Sequence, residues 1–204
     1  MDIQELRQQV LDICKKLPLF GLVTGTAGNV SARDQDTGLV AIKPSGVPYE
    51  SMVPEDIVVL RLDGSIVECR GGLKSSFETP THLEIYRRYE QIGGIIHTHA
   101  KYVNTIGCVF DEIPCGTTPT GVRLLKQNVP VIDFINNGTQ EMADRVAPVL
   151  ADHVAVEIRN HGPFTIGETV QLALERAVAL EDTSEIFFQA SLLGTPSLIG
   201  ETAT

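Results

Sequence analysis

Residues 92–100 read IGGIIHTHA, an apolar run rich in isoleucine that ends in two histidines. Such a run is typical of a buried strand, and its polar end suits a strand that delivers its last side chains to a site. On a strand, side chains two positions apart project from the same face, so His97 and His99 could bind one metal ion. Two histidines at this spacing are weak support by themselves, and ordinary histidines at a strand end are the alternative.

A third histidine, His161, strengthens the prediction of a metal site. It stands in RNHGP, residues 159–163, where a strand meets a turn and a side chain can reach a cleft. Three imidazoles favour zinc or another late divalent metal, and three protein ligands with one open position are typical of a catalytic site. The two other histidines, His82 and His153, are predicted to be packing or surface residues.

Glu78 is the leading carboxylate of this candidate site. It comes after Ser75 and Ser76 and directly before a predicted helix. A carboxylate there could be a fourth metal ligand, a general base, or each in turn. The alternative is an ordinary acid at a helix start, where the helix macrodipole favours negative charge.

Three segments are rich in small residues, hydroxyl groups and backbone amides: residues 25–29 (GTAGN), 43–46 (KPSG) and 74–76 (KSS). Glycine lets backbone N–H groups crowd an anion, and hydroxyls with a lysine complete such a cradle. Each segment alone is more typical of a turn, and neither a Walker A motif nor a dinucleotide fingerprint is present. Together, beside one metal-site carboxylate, they predict an anionic substrate, and a phosphate suits them.

The hydrophobic pattern alternates between helical and strand periods. It predicts helices over residues 3–17, 80–89, 139–150 and 168–193, and strands over 39–42, 57–62, 65–68, 92–98 and 154–158. Thr79 is the predicted N-cap of the second helix. The Asp63-Gly64 pair joins two strands in a hairpin, which argues against an all-parallel sheet. The predicted class is α/β or α+β.

Composition excludes several classes of protein. The 204 residues carry 16 Lys and Arg against 26 Asp and Glu, a net charge of −10, which argues against general binding to nucleic acids or anionic membranes. No apolar stretch approaches the roughly 18 residues that span a bilayer, and the acidic N-terminus lacks the features of a signal peptide. We expect a cytoplasmic protein whose residues 1–204 form a single domain.

Taken together, these motifs resemble the class II aldolase/adducin family. The resemblance runs from about Leu6 to Leu193 and rests on residues 25–31 (GTAGNVS), 43–46 (KPSG), Ser75-Ser76 with Glu78, 97–99 (HTH) and 160–162 (NHG), in that order. It implies a three-layer α/β/α fold with a central, largely antiparallel sheet. It also implies a homotetramer whose active sites lie at subunit interfaces.

The resemblance also implies a set of site residues. A Zn²⁺ ion is expected to be held by His97, His99 and His161, with Glu78 at the position of the metal-site carboxylate and catalytic residue. Another divalent metal remains an alternative. The expected phosphate-binding residues are Thr26, Asn29, Ser45, Gly46, Ser75 and Ser76, together with Lys43.

The implied activity is zinc-dependent cleavage of a ketose phosphate resembling L-fuculose 1-phosphate. The products are dihydroxyacetone phosphate and an aldehyde, formed through a metal-stabilised enediolate. The alternatives are an epimerase of the L-ribulose-5-phosphate 4-epimerase type, a decarboxylase that uses the same intermediate, and a non-catalytic adducin-like module. Retention of the complete set of histidines and carboxylate argues against the last of these.

The sequence departs from the family pattern in two places. Phe77 is an extra residue between the serine pair and the acid. The acid itself is Glu78, whereas the epimerases usually have an aspartate at that position, and this difference favours an aldolase. The family's aldolases also use a tyrosine near the C-terminus, but the last tyrosine here is Tyr102. The residue that exchanges a proton with the oxygen of the leaving aldehyde is therefore not identified by the resemblance.

Overall fold

The structure, a computed structural model, describes residues 2–200. The α-helices of this part are α1 (Ile3–Lys16), α2 (Thr79–Arg88), α3 (Lys101–Gly107), α4 (Pro119–Leu125), α5 (Gln140–Val149) and α6 (Val170–Leu193). The strands are β1 (Asn29–Arg33), β2 (Val40–Ile42), β3 (Val58–Leu60), β4 (Ile66–Glu68), β5 (Gly94–His97), β6 (Glu112–Ile113), β7 (Val129–Ile132), β8 (Ala155–Ile158) and β9 (Gly162–Gly167). None of these described helices is long and apolar enough to cross a membrane.

One sheet contains the nine described strands, in the order β4-β3-β2-β1-β5-β9-β8-β7-β6. Neighbouring strands are antiparallel except β7 and β8, which are parallel. The prediction of a largely antiparallel sheet is therefore confirmed. The predicted hairpin is also confirmed, because β3 and β4 pair across the turn that contains Asp63 and Gly64.

Helices cover both faces of the sheet because successive strand residues point in opposite directions. On β5, Ile96 packs with the cluster that contains the apolar faces of α1 and α6. Its neighbour Ile95 packs with the cluster that α2 and α5 form on the other face. His97 follows Ile96 and so shares the face of Ile95, which is the face that carries α2.

Two local predictions were wrong. The N-cap of α2 is Glu78 rather than Thr79, and the Glu78 side chain makes no capping hydrogen bond. The pattern also missed β9, because Gly162 and Pro163 indicate a break. β9 accommodates Pro163 because the proline lies at the second position of the strand, near its start, where a missing N–H costs least. The pattern did not predict β1 or the short elements α3, α4, β6 and β7 either.

One buried acid stands apart from any site. Glu157 on β8 is fully buried, and both its carboxyl oxygens have no hydrogen-bond partner among the described residues. Its side chain packs against Gly107 of α3, where an added Cβ would lie 2.8 Å from its Cγ. Burial, and then the nearby charge of Glu181, raise the pKa of Glu157 well above its ordinary value of 4.5.

Glu157→Gln is expected to stabilise the protein at pH 8 and to change its stability less near pH 5. The folded chain keeps a proton on Glu157 that the unfolded chain releases above pH 4.5, so stability falls as pH rises through that window. Each unit of pKa separation corresponds to about 1.4 kcal/mol. Thermal unfolding at both pH values measures the effect, with exposed Glu55→Gln as the control. A variant destabilised equally at both pH values would contradict this account.

Candidate metal centre

His97 occupies the end of the central strand β5. It is fully buried, its register partners are Asn29 on β1 and Phe164 on β9, and the Phe164 ring stacks on its imidazole at 4.4 Å between centroids. His99 lies beyond the strand, and its backbone amide donates to the Leu22 carbonyl. The expectation that one strand carries both histidines was therefore wrong, yet their rings lie 5.0 Å apart.

His161 reaches the same place from the turn between β8 and β9. Asn160 adopts the left-handed backbone conformation, with φ of 60°, which asparagine tolerates better than most residues. The Asn104 amide donates to the His161 carbonyl at 2.9 Å and fixes the turn against α3. The His161 ring lies 4.7 Å from that of His97 and 5.1 Å from that of His99.

The three histidines fit a divalent metal ion. Their ligand nitrogens all lie within 4.8 Å of one another. Nδ1 of His97 lies 3.1 Å from the Pro163 carbonyl oxygen, which can only accept, so Nδ1 carries the hydrogen and Nε2 keeps a lone pair. That Nε2 is buried with no hydrogen-bond partner, an arrangement that costs free energy unless a cation binds there. Burial also lowers the pKa of His97 to about 3, which keeps the imidazole neutral as a ligand must be.

Glu78 faces these histidines instead of capping its helix. Its Oε1 lies 3.2 Å from Nε2 of His161, and its Oε2 lies 3.4 Å from Nε2 of His97. The Asn29 amide donates to Oε2 from β1. Burial raises the pKa of Glu78, but its interactions with the neighbouring imidazoles of His97 and His161 and its hydrogen bond from Asn29 outweigh this and lower the pKa to about 2. The group is a carboxylate at neutral pH.

The carboxylate and two of the three histidines line a cavity of about 300 Å³. The remaining lining residues are Thr26, Ala27, Gly28, Asn29, Lys43, Pro44, Ser45, Gly46, Ser76, Phe77 and Asn137. Every candidate residue except Ser75 and His97 therefore lines this cavity. Ser75 pairs with Pro44 in a β-bridge, so it joins two of the predicted loops and does not line the cavity. His97 lies beneath the surface of the cavity.

Lys43 lies under the loops that it was predicted to complement. Its Nζ donates to the carbonyls of Thr26 at 3.0 Å and Pro44 at 3.3 Å, and it lies 4.7 Å from the centre of the Tyr49 ring. The Tyr49 hydroxyl donates to the Ala27 carbonyl at 2.8 Å. Both side chains therefore hold the loop of residues 25–29 in place, which the sequence pattern had not indicated.

The same loop packs closely against the metal histidine. Gly28 has a φ of +77°, and a Cβ added there would lie 2.8 Å from the His97 carbonyl oxygen. Any side chain at this position would push the loop away from β5. The glycine of the motif therefore sets the distance between the loop and the histidines.

Sequence reasoning missed one lining residue, Asn137, and gave no role to another, Phe77. Asn137 follows β7 in a polar loop, and its neighbours contain no motif that could have indicated a site. Phe77 was noted only as an extra residue. The prediction for His82 is confirmed: it is buried between sheet and helix, bonded through Nδ1 to the Ser31 hydroxyl at 2.6 Å. None of the four tyrosines lines the cavity.

A larger cavity, of about 540 Å³, lies at the opposite end of β1. It is bounded by α1, by Arg33 and by the start of α6, and no histidine lines it. The smaller cavity is the better candidate for a site, because the three loops and the histidine cluster converge only there.

The fold and the cavity define a mixed α/β protein with a three-histidine, one-carboxylate centre beside loops suited to an anion. Residues 8–188 match the family described as Class II Aldolase and Adducin N-terminal domain. The chain therefore belongs to the class II aldolase/adducin family, in which the class II aldolases are metal-dependent.

Two relatives that were found by sequence similarity are named for different activities. The chain is 34% identical over 201 residues to the 5-deoxy-D-ribulose 1-phosphate aldolase of Bacillus thuringiensis serovar kurstaki, which covers 98% of this chain and 92% of that protein. It is 37% identical over 196 residues to the L-ribulose-5-phosphate 4-epimerase UlaF of Salmonella paratyphi C. This match covers 90% of the present chain and 84% of UlaF.

Solved structures agree with the family assignment. An L-fuculose 1-phosphate aldolase superposes with a TM-score of 0.89 at 28% identity, over 97% of this chain and 91% of that chain. The L-fuculose-1-phosphate aldolase from Thermus thermophilus superposes with a TM-score of 0.82 at 29% identity, over 95% of this chain and 98% of that chain. The chain is thus similar to enzymes that act on sugar phosphates.

His161→Ala is expected to weaken binding of a divalent metal by more than roughly 100-fold, since losing even an outer-shell partner typically costs about 10–100-fold in metal affinity. Competitive titration with a zinc indicator measures the affinity. His153→Ala is the matched control, because the His153 ring contacts the Val149 carbonyl at the end of α5 and lies outside the cluster. Equal zinc affinity in the two variants would contradict the assignment of His161 as a ligand.

Proposed function

We propose that this protein is a zinc-dependent aldolase that cleaves a ketose 1-phosphate to dihydroxyacetone phosphate and an aldehyde. The observation that carries the proposal is the Glu78 carboxylate, held between the imidazoles of His97 and His161 and the amide of Asn29. A base that contacts the candidate metal ligands and lines the cavity can transfer a proton to or from the substrate carbon next to the carbonyl group.

Cleavage of the ketose adds one proton to a carbon atom of the substrate, and the reverse reaction removes it. In cleavage, the bond between the third and fourth carbons of the ketose breaks, and its electron pair remains on the third carbon as an enediolate. The hydroxyl on the fourth carbon loses its proton and becomes the aldehyde, while the third carbon gains a proton. We assign the proton transfer at the third carbon to Glu78, which is ionised and so can act as the base in the reverse direction.

His97, His99 and His161 would hold the zinc ion in this scheme, with Glu78 beside them. A bound divalent ion supplies Lewis-acid stabilisation of the negative charge that develops on the carbonyl oxygen. The protein contributes the neutral, buried imidazole of His97 and fixes its orientation through the Pro163 carbonyl.

We assign the phosphate to the three loops that line the cavity, with Thr26, Asn29, Ser45, Gly46 and Ser76 as donors. Asn29 already uses its amide on Glu78, and its own Oδ1 is an acceptor. The amide NH2 group has two N–H bonds, so the second remains available to the phosphate while the first donates to Glu78. Lys43 supports these loops from beneath and adds positive charge. Ser75 aligns Ser76 through its bridge to Pro44.

The proposal of an aldolase is supported by the glutamate at position 78, where the epimerases usually have an aspartate. It is also supported by a relative that matches nearly the whole chain. That relative is named for 5-deoxy-D-ribulose 1-phosphate, and the match covers 98% of this chain. Epimerisation of L-ribulose 5-phosphate is the second candidate, supported by 37% identity to UlaF. It uses the same enediolate but keeps the aldehyde bound and re-adds it.

Incubation of the zinc-loaded protein with 5-deoxy-D-ribulose 1-phosphate, L-fuculose 1-phosphate and L-ribulose 5-phosphate distinguishes the two candidates. We expect dihydroxyacetone phosphate to be released from one of the 1-phosphates, as followed by NMR. Inversion of L-ribulose 5-phosphate without release of an aldehyde would support the epimerase instead. Inertness toward all three compounds in a zinc-loaded sample would contradict both.

Glu78→Gln is expected to lower kcat for cleavage by about 10²–10⁴-fold, the usual contribution of a positioned acid or base. It should also stop exchange of the carbon-bound proton of dihydroxyacetone phosphate with deuterated water. Zinc should still bind, since the three histidines remain. The control is Glu90→Gln, which removes an exposed carboxylate after α2. Unchanged exchange in Glu78→Gln would remove Glu78 from the mechanism.

We also propose that the chain assembles as a homotetramer, as the family resemblance implies. Exposed apolar side chains on α6 and near the end of α3, including Leu192, Leu193 and Val109, are consistent with association. Sedimentation of the purified protein gives the number of copies.

A further inference from the structure

We propose that Phe77 is a specificity-determining residue that selects ketose 1-phosphates ending in a methyl group at the carbon farthest from the phosphate. This inference rests on the proposed aldolase function and names the substrate class of the same site. It concerns the aldehyde half of the substrate, whereas Glu78 acts on the half that becomes dihydroxyacetone phosphate.

The first observation is where this phenylalanine stands. Its neighbours Ser76 and Glu78 both line the cavity, and Phe77 itself lines it too. The residue is 71% exposed, although phenylalanine is among the residue types that are most often buried. An apolar ring exposed within a cavity is available to contact a ligand.

The second observation is that the backbone of Phe77 is fixed. The loop after β7 packs on it through Gly138, whose φ is +71° and whose added Cβ would lie 2.8 Å from the Phe77 carbonyl oxygen. This close approach places Asn137 beside Phe77 on the cavity wall. The ring therefore projects from a backbone held on both sides, by α2 and by this loop.

The third observation is the chemistry of the rest of the wall. Among the described residues that line the cavity, Phe77 is the single aromatic side chain apart from the histidines, and the others are polar or small. The small-residue loops suit the phosphate, and the histidines with Glu78 suit the carbonyl and adjacent hydroxyl. The terminal carbons are the part of the substrate that remains for the wall formed by Phe77 and Asn137.

A ring at that position favours a methyl over a hydroxymethyl terminus. A methyl group against the ring is removed from water without losing hydrogen bonds, whereas a hydroxymethyl group gives up bonds with water that the ring cannot replace. Asn137, with its amide, can bind a hydroxyl group on the carbon before the terminus.

The test compares two substrates that differ only at this end, 5-deoxy-D-ribulose 1-phosphate and D-ribulose 1-phosphate. The wild-type protein is expected to have the higher kcat/KM for the deoxy compound, by about tenfold or more, as for one small group in an apolar pocket. Phe77→Ala should reduce this ratio about tenfold, mainly through the deoxy compound. Phe77→Leu should retain most of it.

The matched control is Phe134→Ala, which removes a ring that is 56% exposed but does not line the cavity. Its ratio should equal that of the wild type. Proton exchange of dihydroxyacetone phosphate with deuterated water should be unchanged in Phe77→Ala and in the control, because that half-reaction involves no aldehyde.

The outcomes separate this inference from the proposed function. Wild-type exchange and cleavage together with an unchanged ratio in Phe77→Ala would overturn the role of Phe77 and leave the aldolase standing. A wild-type preference for D-ribulose 1-phosphate would do the same. Loss of exchange in Phe77→Ala would make the residue part of the proton-transfer machinery rather than a specificity determinant. Absence of both exchange and cleavage in the zinc-loaded wild type would overturn the aldolase and this inference with it.

Discussion

The site depends on the carboxylate of Glu78, which does not bond to the helix that it precedes. Glu78 occupies the N-cap of α2, where an acid commonly accepts a hydrogen bond from the first turn of the helix, yet its side chain makes no such bond. Its oxygens instead meet the imidazoles of His97 and His161 and the amide of Asn29. The free energy lost at the cap is offset by contacts that several distant elements provide together.

Those contacts depend on the middle of the sheet. Asn29, His97 and Phe164 are register partners on β1, β5 and β9, so one row of cross-strand neighbours carries a carboxylate partner, a candidate ligand and the ring that stacks on it. A slip of one residue in any of these strands would turn its side chain to the opposite face. The antiparallel pairing of the central strands therefore protects the geometry of the centre as well as the core.

The wall of the cavity combines two kinds of surface. The polar loops are held from beneath by Lys43 and Tyr49, whose polar atoms bond to backbone carbonyls of the loop. Phe77 contributes an apolar ring next to them. A substrate that satisfies both must carry a charged group and an apolar end, which is the physical basis for the proposed preference among sugar phosphates.

The sequence by itself determined the motifs, the helices α1, α2, α5 and α6, and the hairpin of β3 and β4, because these follow from short-range spacing and turn chemistry. It did not determine β1, β9 or the N-cap of α2, and it did not indicate the positions of Lys43 and Asn137. Those features arise from contacts between residues far apart in the chain. Local propensity could not reveal that Glu78 gives up its cap for the histidines, because only the packed sheet brings them within reach.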